Sequence, residues 1–103
     1  MNVRLHMASV TLQGPAYFSE GDEAAFFSWL EGIRGVKGVE GRFPDTLTVQ
    51  IDDSQFTDET LRELIALHHR YGIEMRQLAQ FETSGNRAWF RKPGAYWHKA
   101  VFG

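Results

Sequence analysis

The chain has 103 residues, 43% of them hydrophobic, 14% aromatic and 23% charged, with a net charge of -2 and no cysteine. That length supports one hydrophobic core and predicts one domain over 1–103, too hydrophobic for disorder. The mildly acidic balance removes the field that draws proteins to nucleic acid, the missing thiols remove disulfides and thiolate sites, and no apolar run of about 18 residues could span a bilayer.

Met1 to Leu12 lacks the continuous apolar stretch of a secretory signal, so a cytoplasmic protein is expected. Val3, Leu5 and Met7 alternate with polar residues and the phase then shifts to Val10 and Leu12, which predicts a half-buried strand with a bulge at Met7-Ala8. Gly14-Pro15 closes it. A helix follows, with Ser19 or Asp22 placed to cap it and Phe26, Trp29, Leu30 and Ile33 on one face; Gly35 ends it.

From Val36 to Phe43 glycines interrupt a thin apolar pattern, which predicts an edge strand, and Pro44-Asp45 makes a turn. Leu47, Val49 and Ile51 alternate cleanly with Thr46, Thr48 and Gln50, the pattern of a strand with one buried face. Thr57 caps a second helix, with Phe56 before it and Leu61 placed to staple its entry. Leu61, Leu64, Ile65 and His68 form its inner face, and Tyr71-Gly72-Ile73 stops it. A fourth strand is expected over Arg76 to Glu82. The tail from 85 to 103, rich in Trp89, Phe90, Tyr96, Trp97 and Phe102, should pack as a short helix from Gly94 over a sheet face or edge.

This order, strand, helix, strand, strand, helix, strand, predicts an α+β fold of the ferredoxin-like split βαβ (βαββαβ) type: an antiparallel sheet with both helices on one face and an aromatic C-terminal helical tail.

Chemistry-bearing groups are sparse. His6, His68, His69 and His98 are the only imidazoles, and adjacent His68 and His69 point about 100° apart on a helix, unlike a chelating i,i+4 pair. His68 is expected half-buried and His69 solvated. No nucleophile elbow, phosphate loop or zinc-protease segment occurs, so no catalytic residue, metal or cofactor is expected. Leu47 to Ile51 carries none of the aromatics with which RNA-binding sheets stack bases. The acidic residues are more informative. Glu20, Asp22 and Glu23 open the first helix, and Asp52, Asp53, Asp58 and Glu59 open the second. Both helices are expected to begin at the same end of the split βαβ sheet, which gathers these seven carboxylates into one partner-binding rim and leaves Arg34, Lys37, His69 and Arg70 toward the opposite end. Helix dipoles alone also favour such acids, by about 0.3–1 kcal/mol each, with no partner needed.

Three stretches together, Tyr17-Phe18-Ser19-Glu20-Gly21-Asp22-Glu23-Ala24-Ala25-Phe26-Phe27-Ser28-Trp29-Leu30, Asp58-Glu59-Thr60-Leu61-Arg62-Glu63-Leu64-Ile65-Ala66-Leu67 and Tyr96-Trp97-His98-Lys99-Ala100-Val101-Phe102-Gly103, resemble small bacterial immunity proteins of contact-dependent growth inhibition and Rhs-type polymorphic toxin systems. The resemblance implies a non-catalytic cytoplasmic protein that occludes a cognate toxin, often a nuclease, by stoichiometric binding. It carries over no catalytic residues, and monomer and homodimer are both compatible with it. The competing readings are a dimeric small-molecule enzyme using His6 or His98 and an ACT-type ligand-sensing module.

Overall fold

The computed structural model describes residues 7–42 and 45–103. Val3 and Leu5, expected at the start of the first strand, and the expected turn residue Pro44 lie outside the described residues. The fold is α+β. Strand β1 (Met7–Gln13) leads to helix α1 (Glu20–Gly32), then strands β2 (Val36–Arg42) and β3 (Thr46–Asp52), a 3-10 turn at Asp53–Gln55 and helix α2 (Asp58–Arg70). A 3-10 helix (Arg76–Phe81) and two short helices, α3 (Arg87–Phe90) and α4 (His98–Phe102), complete the chain.

The sheet is three-stranded and antiparallel, in the order β1-β3-β2. β1 pairs with β3 without interruption from Met7↔Asp52 to Gln13↔Thr46, so the bulge expected near Met7-Ala8 does not occur from Met7 onward; the irregularity among the described residues lies in β2, between Val36 and Gly38. Val10, Leu12, Val49 and Ile51 point into the core with Phe26 and Leu30 of α1 and Leu61, Leu64 and Ile65 of α2. The same alternation leaves Ser9, Thr11, Gln13 and Gln50 exposed to solvent.

Helix α2 begins and ends as its sequence dictates, whereas α1 stops at Gly32 and leaves Ile33, expected on its inner face, in extended backbone. Thr57 and Thr60 cap α2 reciprocally, Oγ1 of each accepting the other's backbone N–H at 3.1 Å. At its far end Gly72 takes φ +70°, which lets Ile73 N–H reach the His68 carbonyl at 2.9 Å and close the last turn.

The expected fourth strand is a correction. Residues 76–81 form a 3-10 helix with Leu78 and Phe81 buried, and a side chain does the work of a strand. Gln77 accepts from the Thr11 N–H through Oε1 (2.7 Å) and donates through Nε2 to the Thr11 carbonyl (2.6 Å). The primary amide thus offers β1 the donor and acceptor pair that a neighbouring strand would. The aromatic tail backs this segment: Phe90 and Val101 are buried, and Trp97 donates to the Phe90 carbonyl at 2.6 Å. Its helices are Arg87–Phe90 and His98–Phe102, not one helix from Gly94.

The bond phase of the sheet follows from one contact. Asp52 N–H donates to the Gly35 carbonyl on the β2 side (2.8 Å), so Gln50 and Thr48 also turn their backbone groups toward β2, and Ile51, Val49 and Leu47 toward β1. Thr11 therefore looks outward on one edge, where Gln77 meets it, and Val39 and Gly41 look outward on the other.

Because Thr11 is exposed, water can replace Gln77, and Gln77→Ala should lower the unfolding free energy in urea by only about 1 kcal/mol. Gln80→Ala, whose contact to the Ser9 carbonyl is 3.5 Å, should lower it less. Equal effects would mean that the two glutamines do not differ in closing this edge.

Candidate partner-binding site

The seven carboxylates do not form one rim. β1 and β3 are antiparallel, so the helices that follow them also run in opposite directions: α1 begins beside the Gln13↔Thr46 end of the sheet, and α2 beside the Met7↔Asp52 end. Seven-residue strands separate these ends by about 20 Å. The contacts agree. Arg34, just past α1, donates to Gln55 Oε1 at 3.3 Å near the start of α2, while Tyr71, at the end of α2, donates to the Asp22 carbonyl at 3.4 Å in α1. Each acidic cluster therefore sits beside the basic end of the other helix, and the expected gathering of Arg34, Lys37, His69 and Arg70 at one end is likewise undone.

In the α2 cluster, two of the four acids have structural partners. Asp52 Oδ1 accepts from the Ser54 N–H (3.0 Å) and hydroxyl (2.7 Å), capping the 3-10 turn. Asp58 Oδ2 accepts the Trp89 indole N–H at 3.1 Å, and Arg62 lies 4.2 Å over the same ring, so this pair pins α3 to α2. Asp53 and Glu59 are exposed.

The α1 cluster is built around an exposed aromatic. Ser19 Oγ accepts the Asp22 N–H, and Asp22 Oδ2 accepts the Phe18 N–H, each at 3.0 Å. This reciprocal cap fixes the backbone of Phe18, whose side chain is nevertheless 91% exposed. The reason lies in the sequence. An apolar residue preceding an N-cap packs on the fourth helical residue, and after Phe56 that residue is Leu61, whereas after Phe18 it is Glu23. Phe56 is half-buried and stacks on Phe81 at 4.6 Å; Phe18 has no apolar residue to staple to. Its neighbours Glu20 and Glu23 are exposed, and Phe18, Ala16, Asp22, Arg70 and Tyr71 line a recess of about 250 Å3. Tyr17 beneath this corner packs on Phe26, Phe27 and Tyr71, and burial, then the Glu23 charge, pushes its hydroxyl pKa up.

One group outside these clusters stands out. His68 is fully buried, not half-buried; its Nδ1 lies 2.7 Å from the Leu64 carbonyl, which makes Nδ1 the protonated nitrogen, and Nε2 has no hydrogen-bond partner among the described residues. Burial holds its pKa below the usual value. It contributes to a cleft of about 580 Å3 that includes Gln13, His69, Glu74, Arg76 and Lys99. His69 is exposed, as expected, and meets Tyr96 edge-on at 4.8 Å. His98 is half-buried against Phe102, and His6 lies outside the described residues.

Among the described residues no cluster of three or more His, Cys, Asp or Glu is arranged to hold a metal ion, and no helix is long and apolar enough to cross a membrane. Comparison of the chain with family models, with curated proteins and with solved structures gives no match.

Proposed function

We propose that this chain is a non-catalytic cytoplasmic binding protein of the immunity type, which neutralises a cognate toxin domain by stoichiometric occlusion through the α1 corner. The observation that carries this reading is Phe18, a large apolar side chain held almost wholly in water on a backbone fixed by Asp22, just before a first helical turn that also carries Glu20 and Glu23. A rigid aromatic loses little freedom on docking and supplies the desolvated anchor of an interface. The surrounding carboxylates suit a basic surface such as the substrate groove of a nuclease, and set its rate of approach. Asp52, Asp53, Asp58 and Glu59 belong to a different face in this proposal. The framework reads as a variant of the ferredoxin-like split βαβ, with the Gln77 segment in the place of its last strand.

The test pairs the purified chain with the toxin domain encoded immediately upstream of its gene. Phe18→Ala should loosen the complex by roughly 30-fold, the scale of a hot spot worth about 2 kcal/mol, while leaving the melting temperature unchanged. Glu20→Lys with Glu23→Lys should slow association at low salt. Wild-type affinity in the Phe18 variant would remove this corner from the interface, and absence of any complex would overturn the immunity reading itself. The His68 cleft favours a second reading, a small-molecule-sensing module, whose sign would be a metabolite that raises the melting temperature of the isolated chain.

A further inference from the structure

The two edges of the sheet are treated differently. On β1 the outward N–H and C=O of Thr11 are both taken by Gln77. On β2, among the described residues, no hydrogen bond reaches the outward groups of Val39 or Gly41. An open strand edge is a template for another strand, and the sequence of this one determines which strand fits.

We propose that a second copy of this chain pairs there, β2 against β2 and antiparallel, with the two-fold axis at Gly41, so that three strands from each copy run on as one sheet. The charges select this register. Glu40 and Arg42 project on the face opposite α1, with side chains 65% and 70% exposed and 3.9 Å apart. An axis at Gly41 sets Glu40 of each copy directly opposite Arg42 of the other, giving two cross-strand ion pairs. An axis at Glu40 or at Arg42 would set like charges face to face, and one at Val39 would bring the two Glu40 side chains onto a diagonal. The bond phase agrees with the charges. Gly41 directs its N–H and C=O outward, so the Gly41 pair exchanges both hydrogen bonds, and the flanking Glu40–Arg42 pairs fall at the narrow positions where side chains meet most closely. The irregularity between Val36 and Gly38 twists the other half of the strand out of line and confines the pairing to this end. So short a contact makes a weak dimer, at the small end of protein interfaces.

The chain has no cysteine, so one introduced thiol reports the axis directly. A Cβ at Gly41 would meet only Leu47 Cδ2, at 3.7 Å, and one at Gly32 would meet nothing within 4 Å, so both positions accept a side chain. Directly paired residues at about 5.5 Å between Cα atoms lie within disulfide range. Under mild oxidation Gly41→Cys should form a covalent dimer roughly tenfold faster than the surface control Gly32→Cys, as the pre-formed pair raises the local thiol concentration. Adding Glu40→Arg to the Gly41→Cys chain should abolish that advantage, and the swap Glu40→Arg with Arg42→Glu should restore it. Equal cross-linking of Gly41→Cys and Gly32→Cys would overturn the proposal, as would indifference to Glu40→Arg or failure of the swap to rescue. None of these readouts involves Phe18 or a toxin, so the inference stands or falls apart from the proposed function.

Discussion

Phe26→Ala is expected to be among the most damaging single truncations in the α1 corner, lowering the unfolding free energy by about 3–5 kcal/mol. Phe26 is 0% exposed and makes edge-on contacts with Tyr17 at 5.4 Å, Phe27 at 5.2 Å and Tyr71 at 4.8 Å. Truncation leaves a cavity and strips three rings of a partner, so both the transfer and the packing contributions are lost. A domain of this size has a total stability of about 5–15 kcal/mol, and the melting temperature should fall by roughly 12 °C or more. Tyr17 and Tyr71 also position the segment that carries Phe18, since the Ala16 N–H donates to the Tyr71 carbonyl at 2.9 Å. Phe27→Ala, at a half-buried ring, serves as the control and should cost markedly less. Thermal melts followed by circular dichroism decide the matter: a loss below about 1 kcal/mol for Phe26→Ala would be incompatible with a packed cluster.

Stability should also fall as the pH drops below that of an ordinary histidine, because His68 is folded in its neutral form. Its folded pKa is lowered by burial, against a smaller opposing effect of the Leu64 carbonyl, so the unfolded chain takes up the proton first. Stability is full above the unfolded value, about 6.5, and declines toward the folded value by up to about 1.4 kcal/mol per pH unit. The cleft that His68 borders carries both signs of charge, with His69, Arg76 and Lys99 beside Glu74, and Arg76 is paired with Glu74. His68→Leu removes the proton site and the unpaired Nε2 together, and should flatten this window while holding or raising stability at pH 7. Urea unfolding at pH 7.5, 6.5 and 5.5 distinguishes the two chains; parallel curves would show that His68 does not govern the decline. A second acid window lies lower. Bonding to Arg91, and secondarily to Arg87, holds the Glu82 pKa down to about 2, so its contribution is present above about 4.5 and disappears as the pH falls through the folded value.

Much of the framework was legible where one residue has one job. Thr57 had to cap, Gly72 had to reverse, and Leu47-Val49-Ile51 had to alternate; each did so. Residues 76–82 misled because a strand was sought at period two. Met75, Leu78 and Phe81 are all buried at a spacing of three, the period of a 3-10 helix. His68 lies four residues from Leu64 on a face of leucines, and full burial was readable from that spacing. The single acidic rim failed for a topological reason: charges separated along the chain gather only if the strands before them run the same way, and β1 and β3 do not. The exposure of Phe18 was also readable, as an aromatic before an N-cap with a glutamate where its apolar partner should stand. No local pattern, by contrast, announces that Gln77 will reach β1 across 66 residues.

The opposed course of α1 and α2 limits how any partner can find this molecule. Their backbone dipoles lie side by side in opposite directions and largely cancel at long range, and a net charge of -2 adds little, so the field that would orient an incoming protein from afar is weak. Attraction is confined to individual corners, within a screening length of about 8 Å at physiological ionic strength. Steering by the α1 carboxylates therefore acts only over the last few ångströms of an approach, and it reaches further as the salt is lowered.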